Sequence, residues 1–146
     1  MLRDLQSFIT NVDATEKAGA KMKRGAFVAK DEGKKVFSVA DGVEEVYVVD
    51  RDTKLTMELA MGVAVSEYDD TQDTILKGEG AGLIALQRGV RKATSEYTVA
   101  DSDATAGKYL TVKSGKLIKS DAKTTIKSLG FIDDNGHKLL GFEIVG

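Results

Sequence analysis

The chain contains no cysteine, no proline and no tryptophan, and only one histidine. Without cysteine, disulfides and thiolate metal sites are excluded, and cysteine usage says little about compartment. Without proline, turns must rest on glycine, aspartate, asparagine and serine. A lone histidine cannot supply a second imidazole for a usual zinc site. It is also the only candidate base for a serine nucleophile. No segment approaches the ~20 apolar residues of a transmembrane helix. A basic surplus is missing too: 21 Lys and Arg stand against 23 Asp and Glu, a net charge of −2. That argues against non-specific nucleic-acid binding, which needs excess positive charge. The opening stretch "MLRDLQSFITNVDATEK" lacks the basic start, apolar middle and small-residue cleavage site of a secretory signal. The expectation is a protein made in the cytoplasm, and used there or carried out within a larger particle.

What is present is β-rich. The 146 residues fit one domain or two very small ones, long enough to bury a core without staples. Residues 1–24 read as an N-terminal arm. Leu2, Leu5, Phe8, Ile9 and Val12 would share one stripe if this stretch were helical. The adjoining "ATEKAGAKMKRG" is small, charged and interrupted by glycine. Such an arm is either a flexible leader or a segment that orders on a partner. From Gly25 the period becomes two, and residues 25–146 read as one β-rich domain. "AFVAKD" and "KVFSVAD" form a hairpin pattern around Glu32–Gly33, and "EEVYVVDRD" is a strand. "KLTMELAMGVAVSEYDD" is ambiguous between helix and strand. "DTILKGEG" and "AGLIALQRGVRKATSEYTVAD" give two or three further strands, with a turn at Arg88–Gly89. Ser114–Gly115 and Asn135–Gly136 mark two tight hairpins. The spacing predicts a mainly β fold, a compact β-barrel or β-sandwich-like domain of short hairpins with at most one or two short helices.

One phrase is written twice. "GAFVAKDEGKKVFSVA" (25–40) and "GKYLTVKSGKLIKS" (107–120) each open on Gly, one residue, an aromatic and an aliphatic. Each reaches Gly-Lys and returns through an apolar-rich run; the first parts align without a gap and the returns need one. Either hairpins of this length converge on similar residues, or the chain holds two related half-barrels or two hairpins in equivalent positions.

Candidate chemistry is thin. His137 lies beside Asp133 and Asp134 in "DDNGHK", three possible metal ligands at a turn. Asp50 and Asp52 open an EF-hand-like register that fails at Leu55 and Met61, where glycine and glutamate are required. Asp101 and Asp103 open another that fails at Ala106 and Val112. "DDTQD" reads as a solvated turn. "KGEGAGL" matches a dinucleotide fingerprint only from Gly80 to Ala85, with no helical pattern after it. Arg88, Arg91 and Lys92 form a small basic spot without interleaved aromatics. No catalytic constellation emerges, no metal or cofactor is called for, and the expectation is a binding or assembly protein rather than an enzyme.

The stretches "RGAFVAKDEGKKVFSVADG", "MGVAVSEYD", "GKYLTVKSGKL" and "LGFEIV" together resemble tailed-phage capsid decoration, or cement, proteins. The resemblance covers most of residues 24–145, through glycine turns, "GVAV"-like strands and a G-x-Y-L-x-V hairpin. The length of "DTKLTMELAMGVAV" departs from it. The resemblance implies a β-barrel-like or β-tulip body on the outer capsid surface. It would clamp neighbouring major-capsid subunits, with an N-terminal arm and self-association as a trimer or other small oligomer. Contact candidates are then Leu2, Leu5, Phe8 and Ile9 in the arm and Leu83 and Ile84 of "GLIAL", with self-packing as the alternative role for the arm residues. No nucleic acid and no membrane is expected as partner. A tail-tube, terminator or connector component is a second structural expectation. A bacterial β-barrel module is a third, with "KGEGAGL" and Tyr47, Tyr68, Tyr97 and Tyr109 lining a ligand site.

Overall fold

The computed structural model describes residues 1–6, 12–13, 17–31, 33–43, 45–50 and 74–146. These residues are almost entirely strand and turn. The strands are β1 (Leu2–Gln6), β2 (Val12–Asp13), β3 (Lys17–Ala18), β4 (Met22–Lys23), β5 (Phe27–Asp31), β6 (Val36–Val39) and β7 (Tyr47–Asp50). They continue with β8 (Thr74–Ile75), β9 (Gly82–Ala85), β10 (Arg91–Thr94), β11 (Tyr109–Lys113), β12 (Lys116–Lys119), β13 (Ile126–Asp134) and β14 (His137–Ile144). A 3₁₀ turn at Asp101–Asp103 is the helical element among the described residues, and none of their helices is long and apolar enough to cross a membrane. The mainly β expectation therefore holds. The ambiguous "KLTMELAMGVAVSEYDD", the Asp50–Met61 register beyond Asp50, and "DDTQD" lie outside the described residues.

Two six-stranded sheets carry the fold, in the orders β1-β10-β14-β13-β11-β12 and β2-β9-β7-β5-β6-β3; β4 and β8 pair separately. The tight turns form where the sequence demands them. Ser114 and Gly115 have φ of 51° and 77°, and Asn135 and Gly136 have 52° and 87°. Two consecutive positive φ values are the two-residue turn whose twist matches the flanking strands.

The doubled phrase folds as a doubled topology. In the first copy the register is Val28↔Val39, Ala29↔Ser38, Lys30↔Phe37 and Asp31↔Val36. In the second it is Leu110↔Lys119, Thr111↔Ile118, Val112↔Leu117 and Lys113↔Lys116. Aligned on Gly25 and Gly107, these registers are the same once residues 34 and 35 are set aside. That pair is the gap in the alignment: residues 32–35 connect β5 to β6, whereas Ser114–Gly115 alone connects β11 to β12. The match extends outward. Phe27↔Val48 and Val28↔Tyr47 correspond to Tyr109↔Lys127 and Leu110↔Ile126. Val48↔Ile84 and Val49↔Leu83 correspond to Lys127↔Glu143 and Ser128↔Phe142. Val12↔Ile84 and Asp13↔Leu83 correspond to Arg91↔Glu143 and Lys92↔Phe142. Five strands per sheet share one chain order and one spatial order, so the half-barrel interpretation of the repeat is supported over a chance likeness of two hairpins.

The two halves are stacked in the same sense rather than back to back. The shared core takes Leu110, Val112, Leu117, Ile126, Phe142 and Ile144 from the second half, but Phe27, Val48 and Ile84 from the first. The first-half counterparts of those second-half residues include Val28, Phe37, Tyr47 and Leu83, which point to the opposite face. There they meet Ala18, Met22, Ala26, Ile75 and Ala81 in a second apolar cluster. β4 and β8 supply this cover, and the sheet's own edge strand β3 adds Ala18. An apolar sheet face needs a second layer, and the β4–β8 pair provides it. The three short strands come from residues 17–23 and from the β7–β9 connection, residues 51–81, which replaces the two-residue turn of the second half.

The N-terminal stretch is strand, not helix, where it is described. β1 pairs antiparallel with β10, Leu2↔Thr94 to Gln6↔Arg91, with a bulge between Asp4 and Gln6. Met1 and Leu2 are buried. The hydrophobic spacing that suggested a helical stripe is met instead by a strand whose Leu2 fills the shared core. Residues 1–6 are thus built into the body.

Candidate functional site

The six contact candidates from sequence do not form one surface. Leu2 is 3% exposed, and Leu83 and Ile84 are 0% and 5% exposed. These three are core side chains and cannot meet a partner without unfolding. The expectation that "GLIAL" exposes them is corrected: β9 lies in a sheet covered on both faces, so its consecutive aliphatics are both interior. Leu5 is 41% exposed, as the extra residue of the β1 bulge. Phe8 and Ile9 lie outside the described residues. Val39 and Leu76 are the other exposed large apolar side chains among the described residues.

The remaining sequence candidates are equally dispersed. Tyr47 stacks under the Lys30 ammonium at 4.5 Å. Tyr97 lies against Phe131 with ring centroids 5.3 Å apart, and its hydroxyl donates to the Lys138 carbonyl at 3.2 Å. Tyr109 is beneath Lys127 at 5.4 Å, and Tyr68 lies outside the described residues. The tyrosines do not converge on a ligand site. In "KGEGAGL", Gly78 turns with φ 87°, and its N–H donates to the Ala18 carbonyl at 2.8 Å. The chain then enters strand β9, not the helix a phosphate fingerprint needs. The basic spot also dissolves: Arg91 pairs with Glu143 at 3.2 Å, and Lys92 is buried. Asp133 is engaged in its own turn, accepting from the Gly136 N–H at 2.9 Å. Among the described residues no three His, Asp or Glu side chains group as a metal site.

Sequence reasoning missed one depression among the described residues. It is a groove of about 540 Å³ between the tips of two hairpins. Ser114, Gly115 and Lys116 come from the β11–β12 turn, and Gly136, His137 and Lys138 from the β13–β14 turn. Met1, Met22, Ala26 and Leu139 also line it, all four buried, and the Met1 ammonium donates to the Arg24 carbonyl at 3.0 Å and to Ser95 Oγ at 2.8 Å. Ser95, Glu96 and Lys23 complete the lining. Two tight turns place these groups, because each reverses the chain within two residues and sends the next lysine to the rim.

Charge in the groove is unevenly satisfied. Lys138 Nζ lies 2.8 Å from Asp101 Oδ1 and 4.0 Å from the Phe131 ring centroid. The hydrogen bond to Asp101 raises the Lys138 pKa above its ordinary value. Glu96 differs. Its N–H donates to Thr94 Oγ1 at 3.1 Å, and its carbonyl accepts from the Leu117 N–H at 3.1 Å. Its carboxylate has no hydrogen-bond or ion-pair partner among the described residues, although the residue is only 8% exposed. Nothing in "SEYTVAD" marks this residue; only the packing of β12 against residues 96–98 buries it.

A smaller cleft of about 270 Å³ opens where the two sheets part, lined by Val46, Tyr47, Leu86, Ile126 and Ile144 among others. Comparison with known proteins finds no matching family model, curated protein or solved structure.

Proposed function

We propose that the chain is a virion structural protein, a decoration or cement protein that binds the outside of a phage capsid lattice and stabilises the head. The observation that carries this reading is the pair of stretches behind the resemblance. Residues 25–40 and 107–120 fold as register-matched hairpins in two stacked sheets. The partner is the major capsid protein, and self-association as a homotrimer or other small oligomer fits the same role. Such a protein acts by linkage: whatever binds only the assembled shell stabilises that shell. The bulged edge strand β1, with Leu5 exposed, is the described part of the N-terminal segment that would reach the lattice. Synthesis in the host cytoplasm precedes attachment.

The test is quantitative mass spectrometry of particles purified from the source, with heads and tails separated. The proposal expects the chain in heads, at a level comparable to the major capsid protein. Its presence with tails alone would assign it to a tail-tube, terminator or connector role. Absence from both fractions would overturn a virion role.

A further inference from the structure

We infer that the outward face of the β11–β12 hairpin, with Lys127 beside it, docks an acidic segment of a partner protein. This deepens the lattice-binding reading by naming the surface and the partner's charge, and rests on that reading for the partner being a protein.

Charge is unevenly spread along the chain. Residues 107–128 hold six lysines and a single acid, Asp121, in a chain of net charge −2. Strand alternation sends Leu110, Val112 and Leu117 into the shared core. It turns Tyr109, Thr111, Lys113, Lys116 and Ile118 to the opposite face. Lys113 and Lys116 are exposed and stand directly opposite each other. Like charges in that relation destabilise a strand pair. Lys127 joins the same face from β13, opposite Tyr109. None of these three lysines has an ion-pair partner among the described residues. The acid beside Lys127 in register, Glu143, is paired with Arg91 at 3.2 Å.

The fold does not require this charge. The equivalent hairpin of the first half sets Asp31 opposite Val36 where the second sets Lys113 opposite Lys116. Val48 stands there in the place of Lys127. Lysine on an edge strand deters unwanted strand pairing, which accounts for Lys116 on β12. It does not account for Lys113 and Lys127, because β11 and β13 are interior strands of their sheet. A partner that supplies carboxylates turns the repulsion on this face into attraction.

The spacing narrows the partner. Tyr109 and Lys113 are four residues apart on β11, about 13 Å at ~3.3 Å per residue. Lys127 and the Lys113–Lys116 pair therefore stand at two ends of the face, with half-buried Thr111 and Ile118 between them. An extended segment with acids four residues apart and an aliphatic residue midway matches, because residues i, i+2 and i+4 line one face of a strand. A nucleic acid fits less well. Its phosphates call for an unbroken run of cations and its bases for open aromatic faces. Thr111 and Ile118 interrupt the lysines, and the Tyr109 ring already lies under Lys127 at 5.4 Å.

The test titrates the ¹⁵N-labelled full chain with acetyl-Glu-Ser-Leu-Ser-Glu-amide. Acetyl-Gln-Ser-Leu-Ser-Gln-amide is the neutral control, and the trinucleotide TpTpT, of the same formal charge as the acidic peptide, is the nucleic-acid control. A Kd of about millimolar is expected for so short a segment. The acidic peptide should give saturable shifts at Thr111, Lys113, Lys116, Ile118 and Lys127, the neutral one none, and about 0.5 M salt should abolish them. Lys113→Glu should weaken binding about fivefold or more. Its melting temperature should hold or rise, since a like-charge cross-strand pair becomes an opposite one. Loss of binding without loss of stability separates docking from a structural role. Should Lys113→Glu fail to fold, Lys127→Gln decides by the same weakening. Equal binding by the variant, no shifts with the acidic peptide, or tighter binding of TpTpT would each overturn the inference. So would shifts at these residues on concentrating the chain without a probe, which would make a second copy the occupant. Attachment to purified heads is measured separately. Heads that take up Lys113→Glu as well as the native chain would keep the cement role and overturn this surface. Absence of the chain from particles would overturn the cement role while the peptide titration still decides the face.

Discussion

The N–H of Phe27 donates to the carbonyl oxygen of Gly115 at 2.9 Å, joining the start of the first hairpin to the turn of the second. Two more bonds close a ring: Ala40 N–H to the Phe27 carbonyl and Gly115 N–H to the Ala40 carbonyl, each 3.0 Å. The turn of one copy of the repeated phrase is thus held between the two ends of the other. Ser114 N–H, bonded to Asp41 Oδ1 at 2.9 Å, extends the seam.

Gly115→Ala should be strongly destabilising. The position has φ +77°, and an added Cβ would lie 2.8 Å from Val39 Cγ1 and 3.2 Å from the Phe27 carbonyl oxygen. A loss of about 2–3 kcal/mol is expected in urea unfolding, combining backbone strain with overpacking. Gly136→Ala, with φ +87° but open space around it, should cost only about 1 kcal/mol. Adding Val39→Ala should recover part of the Gly115→Ala loss, because the closest clash is with that side chain. Equal costs at both glycines would refute the seam.

Leu2 and Leu5 should behave oppositely despite sharing the sequence stripe. Leu2→Ala empties a place in the shared core and should cost about 2–4 kcal/mol. Leu5→Ala, at an exposed bulge, should stay within about 0.5 kcal/mol. If Leu5 touches the lattice, the same substitution lowers binding to capsids while leaving the melting temperature of the free protein unchanged.

Phe27 and Phe142 pack across the two sheets, with ring centroids 5.4 Å apart and planes tilted by 58°. Either change to alanine should cost about 3–5 kcal/mol. A double-mutant cycle should return a favourable coupling of about 0.5–1.5 kcal/mol, the part due to the aromatic pair itself. A coupling of zero would mean the sheets do not meet at this pair.

The Lys138–Asp101 pair carries a pH signature. The hydrogen bond to Asp101 raises the Lys138 pKa above 10.5 in the folded chain. A raised folded pKa means the stabilising contribution is complete below the unfolded value and is lost as pH climbs through the folded value. Stability should therefore decline slightly above about pH 10.5 for this reason. Asp101→Asn should lower the Lys138 pKa and remove that component of the decline, read from the Lys138 side-chain NMR titration.

Much of the fold was legible in local sequence. Ser114–Gly115 and Asn135–Gly136 fixed two hairpins through positive φ, and alternation around Tyr109–Lys119 fixed which residues share a face. The repeat was visible in residues 25–40 and 107–120, and its two-residue gap falls in the longer connection between β5 and β6. The opening stretch misled, because apolar residues at 2, 5, 8, 9 and 12 suit a helix by spacing alone. In β1 that spacing is broken by a bulge that turns Leu5 outward while Leu2 enters the core. The site was the least legible part. Its groove is assembled from residues at 1, 22–23, 26, 95–96, 114–116 and 136–139, and no short window contains it.

The sequence by itself determined where the chain reverses and which strands are hairpin partners, because turn geometry and strand period are set by neighbouring residues. It could not determine which face of each strand would be interior. A period of two separates the faces but does not say what covers them. Tertiary structure decided that Val28, Phe37 and Leu83 are buried against β4 and β8 while their counterparts Leu110, Leu117 and Phe142 fill the shared core. It also decided that Glu96 is only 8% exposed, since burial depends on layers brought in from distant parts of the chain.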